Sequence, residues 1–314
     1  MFWFSMLTYY FTGDPIEYKA ASKCLEITTG GNYWIYECFF SFLDNRAIKC
    51  SSTTEINVSI EFCTFYNCSI LGQSGGAIYF NANNKGSIVM KSICGFGCFA
   101  AQDNFMYALA GKIVYLLDSS INRCFPKTSF TLFHEPLSLR NGNQICSNNN
   151  ISKNYGFKVS AIHPYNPIKC EITYCYVAQN HAYHSMTIRI NGGSVDICKV
   201  NIFNNTNDDN SYGILHHHLG ISKISECNFH DNSCVGGNLI TVFFNSGTIS
   251  LTSCYIKEGS LKSVSHTSPL TTLTTFSQSA PRYECYSNNP TVNIQRIISN
   301  ILIRIVILNL CFSS

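Results

Sequence analysis

Three stretches, ITYCYVAQN (residues 172–180), ICKVNIFNN (197–205) and ISECNFHDN (224–232), carry one pattern. In each, an apolar residue stands three before an anchor (Cys175, Val200, Cys227), another stands two after it (Val177, Ile202, Phe229), and an Asn stands five after it (Asn180, Asn205, Asn232). Alternation with a period of two marks short β-strands. The loss of phase between the first apolar residue and the anchor marks a bend between two strands. An Asn recurring at one place in successive units predicts a ladder whose amides bond along the stacking direction.

Working outward, the pattern extends to anchors at Cys38, Cys63, Cys94, Cys124, Asn149, Cys175, Val200, Cys227 and Cys254, at intervals of 25, 31, 30, 25, 26, 25, 27 and 27 residues. Ile60, Ile121, Ile172, Ile197, Ile224 and Leu251 precede the anchors, and Phe40, Phe65, Phe96, Ile151, Val177, Ile202, Phe229 and Ile256 follow them. Asn154 begins the Asn series. A third apolar run recurs at 77–80, 105–108, 186–190, 214–215 and 239–244, so each unit offers about three strands, enough for one coil. One flat coil cannot bury its inward face, whereas stacked coils share a continuous core. The fold expected is all-β: a right-handed parallel β-helix solenoid of about nine rungs.

Other repeat architectures fit less well. Leucine is too sparse for leucine-rich repeats, and the Gly, Asn and β-branched content opposes helical arrays. A propeller blade needs roughly 40 residues. A β-sandwich has no reason to place Cys and Asn at a fixed offset. The segment between Cys124 and Asn149, with Pro126, His134 and Pro136, reads as an outward loop inserted in a rung.

The composition agrees. Of 314 residues, 46% are hydrophobic and only 12% charged, so the chain can bury a core and must draw its polar surface from Asn, Ser and Thr. Lys and Arg number 21 against 18 Asp and Glu, a net charge of +3 with no basic run, which argues against nucleic acid as a partner. The 17 cysteines lack zinc-finger spacing and read most simply as small buried side chains, with disulfides between rungs as the alternative. Cysteine-rich composition and sequons at Asn57, Asn67, Asn150 and Asn204 point to a secreted or surface location.

Residues 1–23 read as an N-terminal cap or an incomplete leader, 24–260 as the repeat domain, and 261–314 as an irregular segment with an apolar end. That end, Ile297 to Leu310, is shorter than the roughly 18–20 residues of a membrane span and contains Arg304. A cap strand is the first reading, a marginal membrane anchor the second.

The motif Gly75-Gly76-Ala77-Ile78-Tyr79 resembles the GGAIY repeat of chlamydial polymorphic outer-membrane proteins, and Phe229-His230-Asp231-Asn232 resembles their companion FxxN motif. The cysteine-containing, Asn-rich units are also similar to β-helix repeats in surface-type proteins of trichomonad protists. The resemblance spans about residues 24 to 260 and implies a β-helix with an adhesive role. The paired glycines permit a tight turn, which the Asn caps.

The residues that could carry hydrolase chemistry are Asp196, Asp208, Asp209, Glu226 and Asp231, which do not recur on one strand face as paired carboxylates should. The run His216-His217-His218 reads as a surface turn. Alternation sends His216 and His218 to one side, where folding could bring them near His184, with His181 in the same loop. Lys85, Lys91, Lys112, Arg189 and Lys199 are scattered. No dinucleotide, P-loop, nucleophile-elbow or zincin motif is present, so no catalytic, cofactor-binding or metal-binding residue is assigned, and no cofactor. The expected function is a surface or secreted binding or adhesion module that presents a rigid face to glycans or protein partners. The alternative is a polysaccharide lyase or glycoside hydrolase working in a lateral groove. Three or more charged residues on one face of adjacent rungs would favour the enzyme.

Overall fold

The computed structural model describes residues 14–19, 21–125, 135–242, 247–257, 260–262 and 265–266. The expectations for the first thirteen residues, for Pro126 and His134, and for the apolar end at Ile297 to Leu310 lie outside the described residues.

The chain winds into a right-handed parallel β-helix of about eight turns, as the repeat predicted. Three parallel sheets of eleven, nine and ten strands run along it, with two small sheets of two and four strands beside them. A rung begins in the eleven-stranded sheet, as at Ser194–Cys198, and bends into the nine-stranded sheet at Asn201–Phe203. After a second bend it enters the ten-stranded sheet at Leu215–His218. Each strand pairs with its counterpart one rung away, so equivalent side chains stack at roughly 4.8 Å. Inward-facing side chains of all three sheets merge into one core. Within it Phe40 and Phe65 stack, with ring centroids 5.3 Å apart and planes at 14°.

Both bends have one cause. A single residue with positive φ breaks the strand: Glu37, Phe62, Ser92, Asp118, Asn148, Tyr174, Lys199, Glu226 and Ser253 at the first bend, and Phe42, Asn67, Gly97, Arg123, Lys153, Gln179, Asn204 and Asp231 at the second. The next side chain points inward and forms a column. At the first bend the column is Cys38, Cys63, Ile93, Ser119, Asn149, Cys175, Val200, Cys227 and Cys254, all buried. The intervals are therefore 25, 30, 26, 30, 26, 25, 27 and 27 residues.

This corrects two anchors. Cys94 lies one residue past the column and faces outward in register with Thr64 and Ser120, because Ile93 holds the buried place. Phe96 is accordingly outward as well, and Gly95 takes the inward position. Cys124 belongs to the second bend, where it stacks in sequence with Cys68, Cys98, Asn154, Asn180, Asn205 and Asn232; Ser119 is the first-bend residue of its rung. Ile121 is thus an inward residue of the nine-stranded sheet.

Cys and Asn interchange in these columns because both donate to the same acceptor. Cys63, Cys98, Cys175 and Cys227 direct Sγ at a backbone carbonyl of the preceding rung, at 3.4–3.6 Å. Asn154, Asn180, Asn205 and Asn232 donate Nδ2 to the corresponding carbonyl at 2.8–3.0 Å. Asn also accepts: the backbone N–H groups of Asn154, Asn180 and Asn205 each donate to the Oδ1 of the next Asn along the ladder, at 3.0–3.1 Å. These bonds satisfy groups that the bend removes from the sheet ladder, and a buried group left unsatisfied costs about 1–3 kcal/mol.

Of fourteen described free thiols, eleven are buried, and burial pushes those of Cys50, Cys98, Cys146 and Cys170 up, so they behave as inert core side chains. The described part of the segment before Asn149, from Glu135 on, is regular. Leu137–Arg140 and Asn143–Ser147 are strands of two sheets, and Pro136 stands at the entry to the first, its carbonyl accepting from the N–H of Met106.

Candidate functional site

The ten-stranded sheet turns two rows of side chains outward. One register position of successive strands gives Lys49, Tyr79, Tyr107, Ser138, His163, Arg189, His216 and Thr241. The position two residues further along gives Asn81, Leu109, Arg140, Tyr165, Asn191 and His218, half-buried over six adjacent rungs. Stacking orders this face. Tyr79 and Tyr107 lie parallel at 5.3 Å, the Arg46 guanidinium sits 4.5 Å from the Tyr79 ring, and that of Arg140 lies 5.0 Å from Tyr107 and 5.1 Å from Tyr165.

Between the rows' two ends lies a buried polar knot. His163 Nδ1 is 2.6 Å from Glu135 Oε2, and both side chains are about 4% exposed. Burial alone would raise the Glu135 carboxyl, but His163, Arg189 and Arg140 together hold it below its ordinary value. Asp103, also buried, is pushed up to about 7 by desolvation and then by the charge of Glu135. Arg140 Nε donates to Ser138 Oγ at 3.1 Å, and His163 Nε2 has no partner. Neither Asp103 nor Glu135 was singled out in the sequence. Each stands two or three residues before a strand of the ten-stranded sheet, a position visible only once Leu137–Arg140 is aligned with Met106–Leu109.

Beyond the knot a cleft of about 210 Å³ opens. Lys158, Arg189, His184, His216 and His218 line it, with Phe157, Tyr212, Ser185 and Met186. The alternation argument for the histidines therefore holds: His216 and His218 share a side and meet His184. The surface-turn reading does not. Leu215–His218 is a strand, His216 is 4% exposed, and His217 is fully buried between Ile190 and Val242. Alternation turns His217 into the core, where its Nδ1 meets Ser222 Oγ at 2.9 Å. Burial, followed by the charges of Arg189, His218 and His217, depresses His216 to about 3, so its imidazole is neutral at physiological pH; its Nδ1 lies 2.8 Å from Thr241 Oγ1.

The acidic candidates are not brought together. Asp196 is on the outward face of the eleven-stranded sheet between Glu171 and Lys223. Asp208 pairs with His181 at 2.8 Å, which supplies that histidine with a carboxylate the sequence had not suggested. Asp209 accepts from the backbone of Ser211, Asp231 binds Lys257 and His230, and Glu226 lies 3.8 Å from Lys199. Lys112 pairs with Glu55 and Lys85 caps the Thr53 carbonyl, leaving Arg189 as the cation of that set that enters the cleft. No group of three or more His, Cys, Asp or Glu side chains among the described residues could hold a metal ion. No described helix is long and apolar enough to cross a membrane.

Compared with family models, curated proteins and solved structures, the chain matches none.

Proposed function

We propose that this chain is a surface or secreted recognition module that binds extended glycans along the outward face of its ten-stranded sheet. The observation that carries the reading is the half-exposed row Asn81, Leu109, Arg140, Tyr165, Asn191 and His218, flanked by the stacked Tyr79 and Tyr107. Six rungs at about 4.8 Å give a track of roughly 24 Å, long enough for several sugar units. Amide, guanidinium and imidazole groups offer hydrogen bonds to hydroxyls, and the rings offer platforms to the apolar faces of sugars. The rungs are pinned by backbone pairing, so little ordering accompanies binding. The cysteine content, the sequons and the resemblance to repeats of chlamydial and trichomonad surface proteins support an extracellular place for it.

A polysaccharide-active enzyme is the second reading, favoured by Asp103, Glu135, Arg140, His163 and Arg189 on adjacent rungs. Recognition is preferred because Asp103, Glu135 and His163 are buried, whereas acid–base catalysis needs groups within reach of the sugar.

The test is binding of the purified chain to a broad glycan array, with product release followed on every polysaccharide retained. Retention without turnover, weakened by Tyr107→Ala and Tyr165→Ala, is the expected result. Turnover would make the chain an enzyme, and retention of no glycan would refute both readings.

A further inference from the structure

We propose that the cleft at the downstream end of this face takes a carboxylate-bearing sugar, its anionic group held by Arg189 and Lys158; the proposal rests on the glycan-recognition reading and narrows it to acidic glycans. Five nitrogen-bearing side chains line the cleft, and no carboxylate does among its described lining residues. Arg189 brings a cation whose buried Nε has no hydrogen-bond partner. Glu135, on whose carboxyl the Arg189 charge acts, is already engaged by His163 at 2.6 Å.

The like charges also press on one another. Burial lowers the Lys158 ammonium below its ordinary value and the Arg189 charge lowers it further, against a smaller opposing effect of the Glu135 charge. Such a site gains from an arriving anion more than an exposed lysine would, because both cations are partly withdrawn from water. A guanidinium presents a planar fork of N–H donors that matches a carboxylate, and an ammonium adds a second point of charge. The rings of Phe157 and Tyr212 wall the same cleft and would carry the apolar face of the sugar ring. His218 belongs both to the cleft and to the outward row, so an oligosaccharide can continue from one to the other.

The probes are galacturonate oligomers, the same oligomers with carboxyls reduced to alcohols, and inorganic sulfate, titrated into the full chain by calorimetry and by the imidazole resonances of His184, His216 and His218. The galacturonate oligomer should bind at least tenfold more tightly than its reduced counterpart and shift those resonances. It should weaken with added salt, be displaced by sulfate, and lose at least tenfold in Arg189→Gln and in Lys158→Gln, two variants that guard against one failing to fold. Equal binding of the two oligomers, or unchanged affinity in both folded variants, overturns the inference while leaving glycan recognition standing. Binding of sulfate without the uronate overturns the carboxylate assignment. If neither oligomer binds nor any glycan is retained on the array, the recognition reading falls with it.

Discussion

A side chain on Gly95 would occupy the space that Phe105 fills: a Cβ built there lies 2.3 Å from Phe105 Cε2. The neighbouring rungs place Phe65 and Ile121 at the inward position that Gly95 holds. Phe105, just before the strand Met106–Leu109, reaches across the core and meets Phe65 edge-on, at 5.7 Å and 81°. One rung thus supplies its core volume from a different sheet.

Gly95→Ala should destabilise the chain by about 1–3 kcal/mol through overpacking. In a Phe105→Leu background the same change should cost less, since the smaller side chain vacates the site. Urea unfolding of both single variants and the double variant gives the coupling. Additive losses would mean that the two residues do not share this space.

Asn180 sits in the middle of the second-bend ladder: it donates to Ile151, accepts from the Asn154 N–H, and its own N–H is taken by Asn205. Asn180→Leu strands the Ile151 carbonyl and the Asn154 N–H and should cost about 2–5 kcal/mol. Asn180→Cys keeps a donor toward the carbonyl and should cost roughly half as much. Equal losses in chemical denaturation would refute the equivalence of Cys and Asn in the column.

Leu219 holds φ near 78° with its side chain 43% exposed, a conformation costly for a bulky side chain with little burial in return. Leu219→Asn should raise stability by about 0.5–1 kcal/mol. A lower thermal midpoint would show that Leu219 contributes packing that outweighs its backbone strain.

Stability against pH should reveal two opposed groups. His216 resists protonation when folded, so as pH falls below its ordinary 6.5 the unfolded chain takes up a proton that the folded chain refuses; stability is lost toward pH 3, and His217, also depressed by burial, adds to the loss. Asp103 acts the other way. Between 3.8 and about 7 the folded chain keeps a proton that the unfolded chain releases, and stability falls as pH rises. His216→Gln should weaken the acid-side loss, leaving a steeper decline toward neutral pH. Asp103→Asn should instead give a profile that rises between roughly pH 4 and 6.5. Parallel profiles for the parent and both variants, measured by urea unfolding, would contradict this account.

The repeat determined the fold because a β-helix writes its geometry into single positions: one left-handed residue, then one inward Cys or Asn, once or twice per rung. Ile172 to Asn232 obey that rule and were legible as strand, bend and strand. The register failed at Cys94, since a cysteine looks the same facing inward or outward and only the sheet pairing identifies Ile93 as the buried residue. Pairing also placed Cys124 at the second bend and drew His217 into the core between Ile190 and Val242. Of the cleft, the sequence offered only the meeting of His216 and His218 with His184. Lys158, Arg189 and His216 are separated by some 30 residues from one to the next, and they meet because the chain returns to the same sheet once per rung. The sequence by itself determined what each rung is. Which side chains stand next to one another across rungs was decided by the stacking, because strand register, not distance along the chain, sets the neighbours on a solenoid face.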